Sequence, residues 1–432
     1  MSPIPRGLLV LAAALVAGLG LGAALAAYSN HLHDAAASSA VSATGSAVVT
    51  TTAAPWVDPV APPQPSEELT VTVAFGGDML MHQPVNSSAA AAASQAGASG
   101  YEYSPLLAGV DRWIAGADLA ICQLEVPLTP PGQAPSGYPV FGAPTELARD
   151  LAEQGWDGCT TASNHALDRG WTGLSHTIET LRDAGLGYSG TARDAADAEL
   201  PQLYRLSAGG QTLTIAHIAA TYGVNGLPLP ADQPWSVNTP IDTARMITQA
   251  EAARAAGADI VLATIHDGVE YRTTPTPEQR GLVARLAESG QIDAVIGDHP
   301  HVAEPIELVS GGVSGDGMWT IYSLGNFISN QTDAVVGPNT DTGVVAYLTI
   351  TKDAGGAAVT GMTWAGVTVD TAHGHRVHML EDSVAAGGEL GQIGAAGVSL
   401  RYERLRAIMG DAAEQLEPPK PAGVSLEVVP RG

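Results

Sequence analysis

Five apolar segments of this chain run into residues that can bind a metal or move a proton. The first leads into Gly76-Gly77-Asp78 and, four residues on, His82. The second ends in Gln123-Leu124-Glu125, and the third leads into Ser163-Asn164-His165 with Asp168 behind it. The fourth leads into His266-Asp267-Gly268-Val269-Glu270-Tyr271 and the fifth into Gly297-Asp298-His299-Pro300-His301. Carboxylate oxygens, imidazole nitrogens and amide oxygens are the donors that hard and borderline divalent cations take. Two such ions held about 3.5–4 Å apart need a carboxylate between them and His or Asn at the ends. Singly, each motif has an ordinary explanation: an Asp after a strand usually caps a helix, and Ser-Asn-His can be a turn. Their recurrence at five segment ends is what points to a metal centre.

The segments that must position these residues read as strands. Residues 70–75 alternate β-branched and apolar side chains, and similar runs recur at 117–124, 158–162, 213–219, 259–265 and 293–296. Helical patterns at 145–154, 172–184, 242–255 and 277–289 lie between several of them. Alternation of strand and helix predicts an α/β domain, in which ligands bind beyond the carboxyl ends of the strands. After Met318 the pattern turns strand-rich, at 320–323, 344–351 and 360–369. Residues 383–432 read as one more helix followed by a Pro-rich tail, and no internal repeat is visible.

Composition narrows the function classes. The chain of 432 residues carries 44 Asp+Glu against 19 Lys+Arg, a formal charge of -25. A field of that sign repels phosphate backbones and excludes a nucleic-acid partner. It also repels anionic lipid, so any membrane attachment is hydrophobic. Arg6 precedes an uncharged apolar run over residues 7–27, long enough to cross a bilayer core of roughly 30 Å. Ala24-Leu25-Ala26 within it also fits a signal-peptidase site. The segment 1–27 is therefore expected to be a membrane anchor or a cleaved signal, placing the protein on the outer face of the membrane or outside the cell. Residues 28–69, rich in Ala, Ser, Thr and Pro, read as a disordered linker. The globular domain is expected over 70–380, with 381–432 as a C-terminal helix and tail. Cys122 and Cys159 show no metal-site spacing and read as two free buried thiols.

The spelling of these motifs resembles the CapA family of poly-γ-glutamate capsule biosynthesis proteins, a branch of the calcineurin-like metallophosphatase superfamily. The resemblance rests on Gly77-Asp78, on Leu124-Glu125-Val126-Pro127-Leu128-Thr129, on Asn164-His165 with Asp168 and Gly170, and on His266 with Gly268, Glu270 and Tyr271. It continues through Gly297-Asp298-His299-Pro300-His301-Val302, Tyr322-Ser323-Leu324-Gly325-Asn326-Phe327 and Thr221-Tyr222-Gly223-Val224-Asn225-Gly226. It implies a four-layer α/β/β/α sandwich with two divalent ions (Mn, Fe, Zn or Mg). It makes Asp78, Glu125, Asn164, His266, His299 and His301 the ligands, with Glu125 bridging and His165 as general acid. His82, Gln123, Asp168, Tyr222, Asn225, Glu270, Tyr271 and Asn326 would then contact substrate or support the ligands. Gln123 and Ser163 stand where the family usually has Asn, and Asp267 where it often has an aromatic residue, which puts metal affinity in question. His373, His375 and His378 are expected in a solvated loop. The partners implied are an anionic envelope polymer such as poly-γ-glutamate and capsule synthetase subunits. Two functions stay open: a metal-dependent hydrolase or transferase, and a non-catalytic polymer-binding assembly factor. An extracytoplasmic phosphoesterase acting on another substrate is a variant of the first.

Overall fold

The computed structural model describes residues 68–431. The expected anchor and nearly all of the linker lie outside the described residues. Among the described residues no helix is long and apolar enough to cross a membrane.

The chain first lays down four parallel strands, β1 (Leu69–Met79), β2 (Leu119–Gln123), β3 (Gly158–Thr160) and β4 (Gly187–Ser189). Between them come α1 (Gln83–Gln95), the short α2 (Ser104–Leu107) and α3 (Asp111–Ile114), α4 (Glu146–Gln154) and α5 (Gly170–Asp183). A hairpin, β5 (Gln202–Ala208) and β6 (Gln211–Thr221), starts a second sheet. There β7 (Ile260–His266) and β8 (Ala294–Asp298) run parallel to β6 through α6 (Thr243–Ala255) and α7 (Pro277–Glu288). β9 (Ala303–Val309) and β10 (Met318–Leu324) complete that edge. β11 (Asn326–Ile328), β12 (Thr342–Asp353), β13 (Gly356–Asp370) and β14 (Arg376–Met379) return to the first sheet. Helix α8 (Ala395–Met409) follows, and β15 (Ser425–Val429) closes on β5. The orders are β14-β13-β12-β1-β2-β3-β4, with β11 also on β1, and β15-β5-β6-β7-β8-β10-β9.

Alternation along β1 explains the layering. Val71, Val73 and Phe75 enter a core shared with Ile215, Ile260, Leu262 and Ile296 of the second sheet, whereas Ala74 faces a different core with residues of α1, α4 and α5. The opposite face of the second sheet, with Ala216, Val261 and Val295, packs on Met246 and Ala250 of α6 and Leu282, Val283 and Leu286 of α7. The two sheets therefore bury their inner faces against each other and carry helices outside. Helix ends are set locally. Thr276 and Gln279 form a capping box with Pro277 in the first turn of α7, and the Asp242 side chain caps α6.

Two features differ from the sequence expectation. The segment after residue 381 is part of the domain: Val398, Tyr402, Leu405 and Met409 of α8 are buried in the inter-sheet core, and the tail ends in a paired strand. The second is Cys122 and Cys159, which form a disulfide. They are direct ladder partners on parallel β2 and β3, and strand pairing, invisible in a spacing of 37 residues, brings them together. A bond closing a loop of this size typically stabilises a fold by roughly 2–4 kcal/mol through the unfolded chain. The Cys122→Ala/Cys159→Ala protein is expected to lose about that much in urea unfolding at matched metal content. An unchanged midpoint would show that the bond does not constrain the unfolded state.

Candidate metal centre

The carboxylates come from neighbouring strands of the first sheet. Asp78 lies near the end of β1, opposite Gln123 of β2 and Asn326 of β11, and its backbone N–H donates to Gly325 O at 2.9 Å. Glu125 follows two residues after β2 ends. The close approach needs glycines, because a Cβ on Gly77 would lie 1.9 Å from Gly325 O and one on Gly297 1.8 Å from Tyr322 O. The imidazoles come from the second sheet: His266 ends β7, and His299 and His301 follow β8. Both residues after β8 have left-handed backbones, φ 104° at His299 and 59° at His301. Such conformations are uncommon outside Gly and cluster at functional sites.

These elements place Asp78, Glu125 and His301, all buried, with one candidate ligand atom each within 4.8 Å of the others. His301 Nδ1 lies 3.1 Å from Asp78 Oδ2 and 3.8 Å from Glu125 Oε2. His266 sits against the same group, Nδ1 4.0 Å from Asp78 Oδ1 and Nε2 3.9 Å from Glu125 Oε1. Its Nε2 is 2.9 Å from Asn164 Oδ1, and the His299 ring lies 5.0 Å from its own. Of the six residues assigned as ligands from the family resemblance, Asp78, Glu125 and His301 form the close-set group, His266 lies against it, and Asn164 and His299 lie against His266. Gln123, standing where the family has Asn, still reaches the centre: its Nε2 lies 3.1 Å from His266 Nδ1. Ser163 also keeps a positioning role, since its hydroxyl donates to Glu125 O at 2.5 Å and accepts the His165 N–H at 3.1 Å.

The donor set fits a divalent cation. Asp78 Oδ1, both Glu125 carboxylate oxygens, Asp298 Oδ1 and His299 Nδ1 are buried without a hydrogen-bond partner, a costly arrangement for carboxylates. Burial, and next the Asp78 charge, push the Glu125 carboxyl well above its ordinary range. Burial would lower His301, but the Glu125 and Asp78 carboxylates outweigh it and raise the imidazole to about 9. His266 and His299 are lowered by burial and by the neighbouring histidines, His299 to about 3. A bound cation relieves the carboxylate crowding and takes neutral imidazoles. Asp298 escaped the sequence assignment although it lies within the Gly297–His301 motif. It is buried, and after desolvation the Asp78 and Glu125 charges raise its carboxyl.

A cleft of about 560 Å³ opens beside the centre. His165 lines it, with Nδ1 2.7 Å from Asp168 Oδ2, so the other ring nitrogen, Nε2, is left to face a ligand. Asp168 also accepts the Phe141 N–H at 2.7 Å, and the Phe141 ring packs edge-on to His165. Asn225 (φ 51°) sends Nδ2 to within 3.3 Å of His165 Nδ1. Arg169 organises the wall that carries Tyr138 and Phe141, donating to Phe141 O and Ala134 O at 3.0 Å each. Glu270 and Tyr271 also line the cleft, while the Tyr222 ring packs against His299 at a tilt of 50°, with ring centres 4.7 Å apart. Asn326 does not line it. Its amide donates to Gln331 Oε1 and Thr340 O, pinning the loop whose Asn330, Gln331, Val335 and Val336 form one wall. Helix α8 braces that loop through Arg401–Asp341 and Arg404–Asp333 ion pairs.

Histidines outside the assigned ligand set differ in their surroundings. His82 directs Nδ1 to Leu80 O at 3.1 Å, with Asn330 N at 3.3 Å from the same atom. It precedes α1 and lines the cleft, outside the close-set group of Asp78, Glu125 and His301. His375 is buried between Ser88 and Asn330 rather than in a solvated loop, and His378 lies on β14; only His373 is largely exposed.

A family described as "Bacterial capsule synthesis protein PGA_cap" matches residues 72–331. "Capsule biosynthesis protein CapA" of Bacillus anthracis is 29% identical over 192 residues, 44% of this chain and 44% of that protein. "PGA biosynthesis protein CapA" of Bacillus subtilis (strain 168) is 32% identical over 186 residues, 43% of this chain and 46% of that protein. The matched stretch thus spans less than half the length of either relative. Among solved structures, the calcineurin-like phosphoesterase YfkN from Bacillus subtilis aligns at 13% identity and TM-score 0.39, over 79% of this chain and 97% of that one. A 5'-nucleotidase precursor from Thermus thermophilus aligns at 14% identity and TM-score 0.39, over 79% and 60%.

Proposed function

Since the chain belongs to the bacterial capsule synthesis protein family PGA_cap, we propose that it serves capsule polymer biosynthesis, of the poly-γ-glutamate class, through a metal-dependent hydrolase or transferase centre. The observation that carries the catalytic part is the buried Asp78–Glu125–His301 group with its unpartnered carboxylate oxygens. Asp78, Glu125 and His301, together with His266, Asn164 and His299, would hold one or two divalent ions. Bound there, such ions supply Lewis-acid polarisation and acidify water. The chain's own residues do the rest. Asp168 fixes the orientation of the His165 ring, whose Nε2 gives a proton to the leaving group. Phe141 and Leu80 line the cleft, and Asn225 steadies its His165 edge.

We place the protein outside the cytoplasmic membrane, held by residues 7–27 and spaced from it by the linker, where it would meet the polymer and the synthetase subunits. The Cys122–Cys159 disulfide supports this, because such bonds persist in oxidising compartments. The test is turnover by metal-reconstituted protein of an artificial phosphodiester and of a γ-glutamyl polymer, side by side. Metal-dependent release from either is the expected result. Binding of the polymer with no turnover of either substrate would make the protein an assembly factor.

A further inference from the structure

We infer that Asn330 and Gln331 form a subsite that reads the α-carboxylate of a γ-glutamyl unit, meeting it with the NH2 groups of both side-chain amides. This deepens the function proposed above and rests on its choice of polymer.

Both residues line the cleft beside the metal centre, and the wall behind them settles which end of each amide is free. Asn326 Nδ2 donates to Thr340 O at 2.8 Å and to Gln331 Oε1 at 2.9 Å. A backbone carbonyl only accepts, so the Asn326 group held there is its NH2, and Gln331 turns its oxygen toward it. Gln331 Nε2 then keeps both its protons, and no hydrogen bond among the described residues takes them. Gln331 is only 6% exposed, so packing holds these donors in one place. Asn330 is set in the same way. Ser88 Oγ lies 2.8 Å from His375 Nδ1, and His375 Nε2 lies 2.9 Å from Asn330 Oδ1. With the Ser88 hydroxyl donating to Nδ1, the ring proton sits on Nε2 and goes to the Asn330 oxygen. The Asn330 NH2 is left without a partner among the described residues.

Two neighbouring side chains thus spend their acceptors on the protein and keep their donors. Such a pair suits a group rich in acceptors and without protons of its own. A γ-glutamyl chain offers one at every residue, the α-carboxylate, and hydrogen bonds to an ionised acceptor are roughly twice as strong as neutral ones. The amide N–H of the same unit finds an acceptor in Glu270, on the same cleft. No Lys or Arg lines this space, whereas the His301 imidazole does. Directed neutral donors beside the centre therefore recognise the anion. They also discriminate, because an uncharged α-carboxamide would bring its own NH2 against Asn330 Nδ2 and Gln331 Nε2.

Calorimetric titration of the full-length protein, with metal added, tests this with γ-linked pentaglutamate and its α-carboxamide analogue. The parent protein is expected to bind the acid roughly tenfold or more tighter than the carboxamide. Asn330→Asp/Gln331→Glu keeps the oxygens that His375 and Asn326 grip and replaces each NH2 by oxygen. It should weaken the acid by a similar factor and strengthen the carboxamide, reversing the order with metal content unchanged. Val335→Asp/Val336→Glu adds the same charge to the same wall but leaves both amides, and should retain most of the preference for the acid. Binding of neither pentamer, equal binding of both by the parent, acid binding indifferent to the amide substitutions, or an equal loss in the valine variant would overturn the proposal. Metal content and turnover are read separately. A protein that takes up no metal, or cleaves nothing, defeats the catalytic centre, while the carboxylate subsite stands or falls by the titration.

Discussion

Asp78→Ala/His301→Ala protein is expected to purify folded but without its divalent metal. These residues supply two of the three donors set within 4.8 Å of one another. Loss of a mere supporting partner typically costs about 10–100-fold in affinity, so removal of both donors should exceed about 100-fold. The fold should survive, because the substitutions remove a buried carboxylate and an imidazole whose polar contacts lie within the centre, with each other, Glu125 and His266. Metal uptake by the unsubstituted protein should also depend on pH with a definite sign. In the metal-free state the Glu125 and Asp78 carboxylates outweigh burial and raise His301 to about 9, so at neutral pH this imidazole holds a proton that binding must release. Affinity should therefore climb as pH rises toward about 9 and collapse under acid conditions. Metal analysis of freshly purified proteins, with a titration at several pH values, provides the check. Equal metal in the double variant and its parent would remove these residues from the centre.

The second large effect concerns turnover rather than binding. His165→Asn should keep metal and fold yet lose about 10²–10⁴-fold in rate, the usual contribution of a positioned acid–base group. Its Nδ1 is committed to Asp168 at 2.7 Å, which leaves Nε2 for the proton. Asp168→Asn should give a smaller loss, since the ring would keep its packing on Phe141 but lose the carboxylate that orients it. The measurement is kcat on the artificial phosphodiester at saturating metal. Full turnover in His165→Asn would show that another group carries the proton, and His82, on the same cleft, would be the next to replace.

Much of this site was legible in the chain because strand ends and ligands are neighbours in sequence. A residue that follows an apolar strand of an α/β sheet arrives at the ligand-binding edge whatever the rest of the fold does. Asp78, Glu125, Asn164, His266, His299 and His301 could therefore be singled out as candidates without coordinates, their ligand roles coming from the family resemblance, and the structure groups Asp78, Glu125 and His301. Helices α4, α5, α6 and α7 were equally readable, being bounded by local caps and turns.

Contacts between distant segments were decided by the tertiary structure alone. The spacing of Cys122 and Cys159 contains nothing about β2 lying beside β3, so their bond required the ladder. Helix α8 and β15 looked like an appendage because their partners lie elsewhere in the chain: α8 joins the inter-sheet core, and β15 pairs with β5 near the middle of the sequence. The absence of Lys and Arg from the cleft lining is likewise invisible in a sequence that contains 19 Lys+Arg. Sequence alone determines which side chains follow each strand. Which of them share a wall, which face solvent and which stay unpartnered depends on long-range packing of the two sheets, and that packing turned a set of strand-end motifs into one buried, cation-seeking centre.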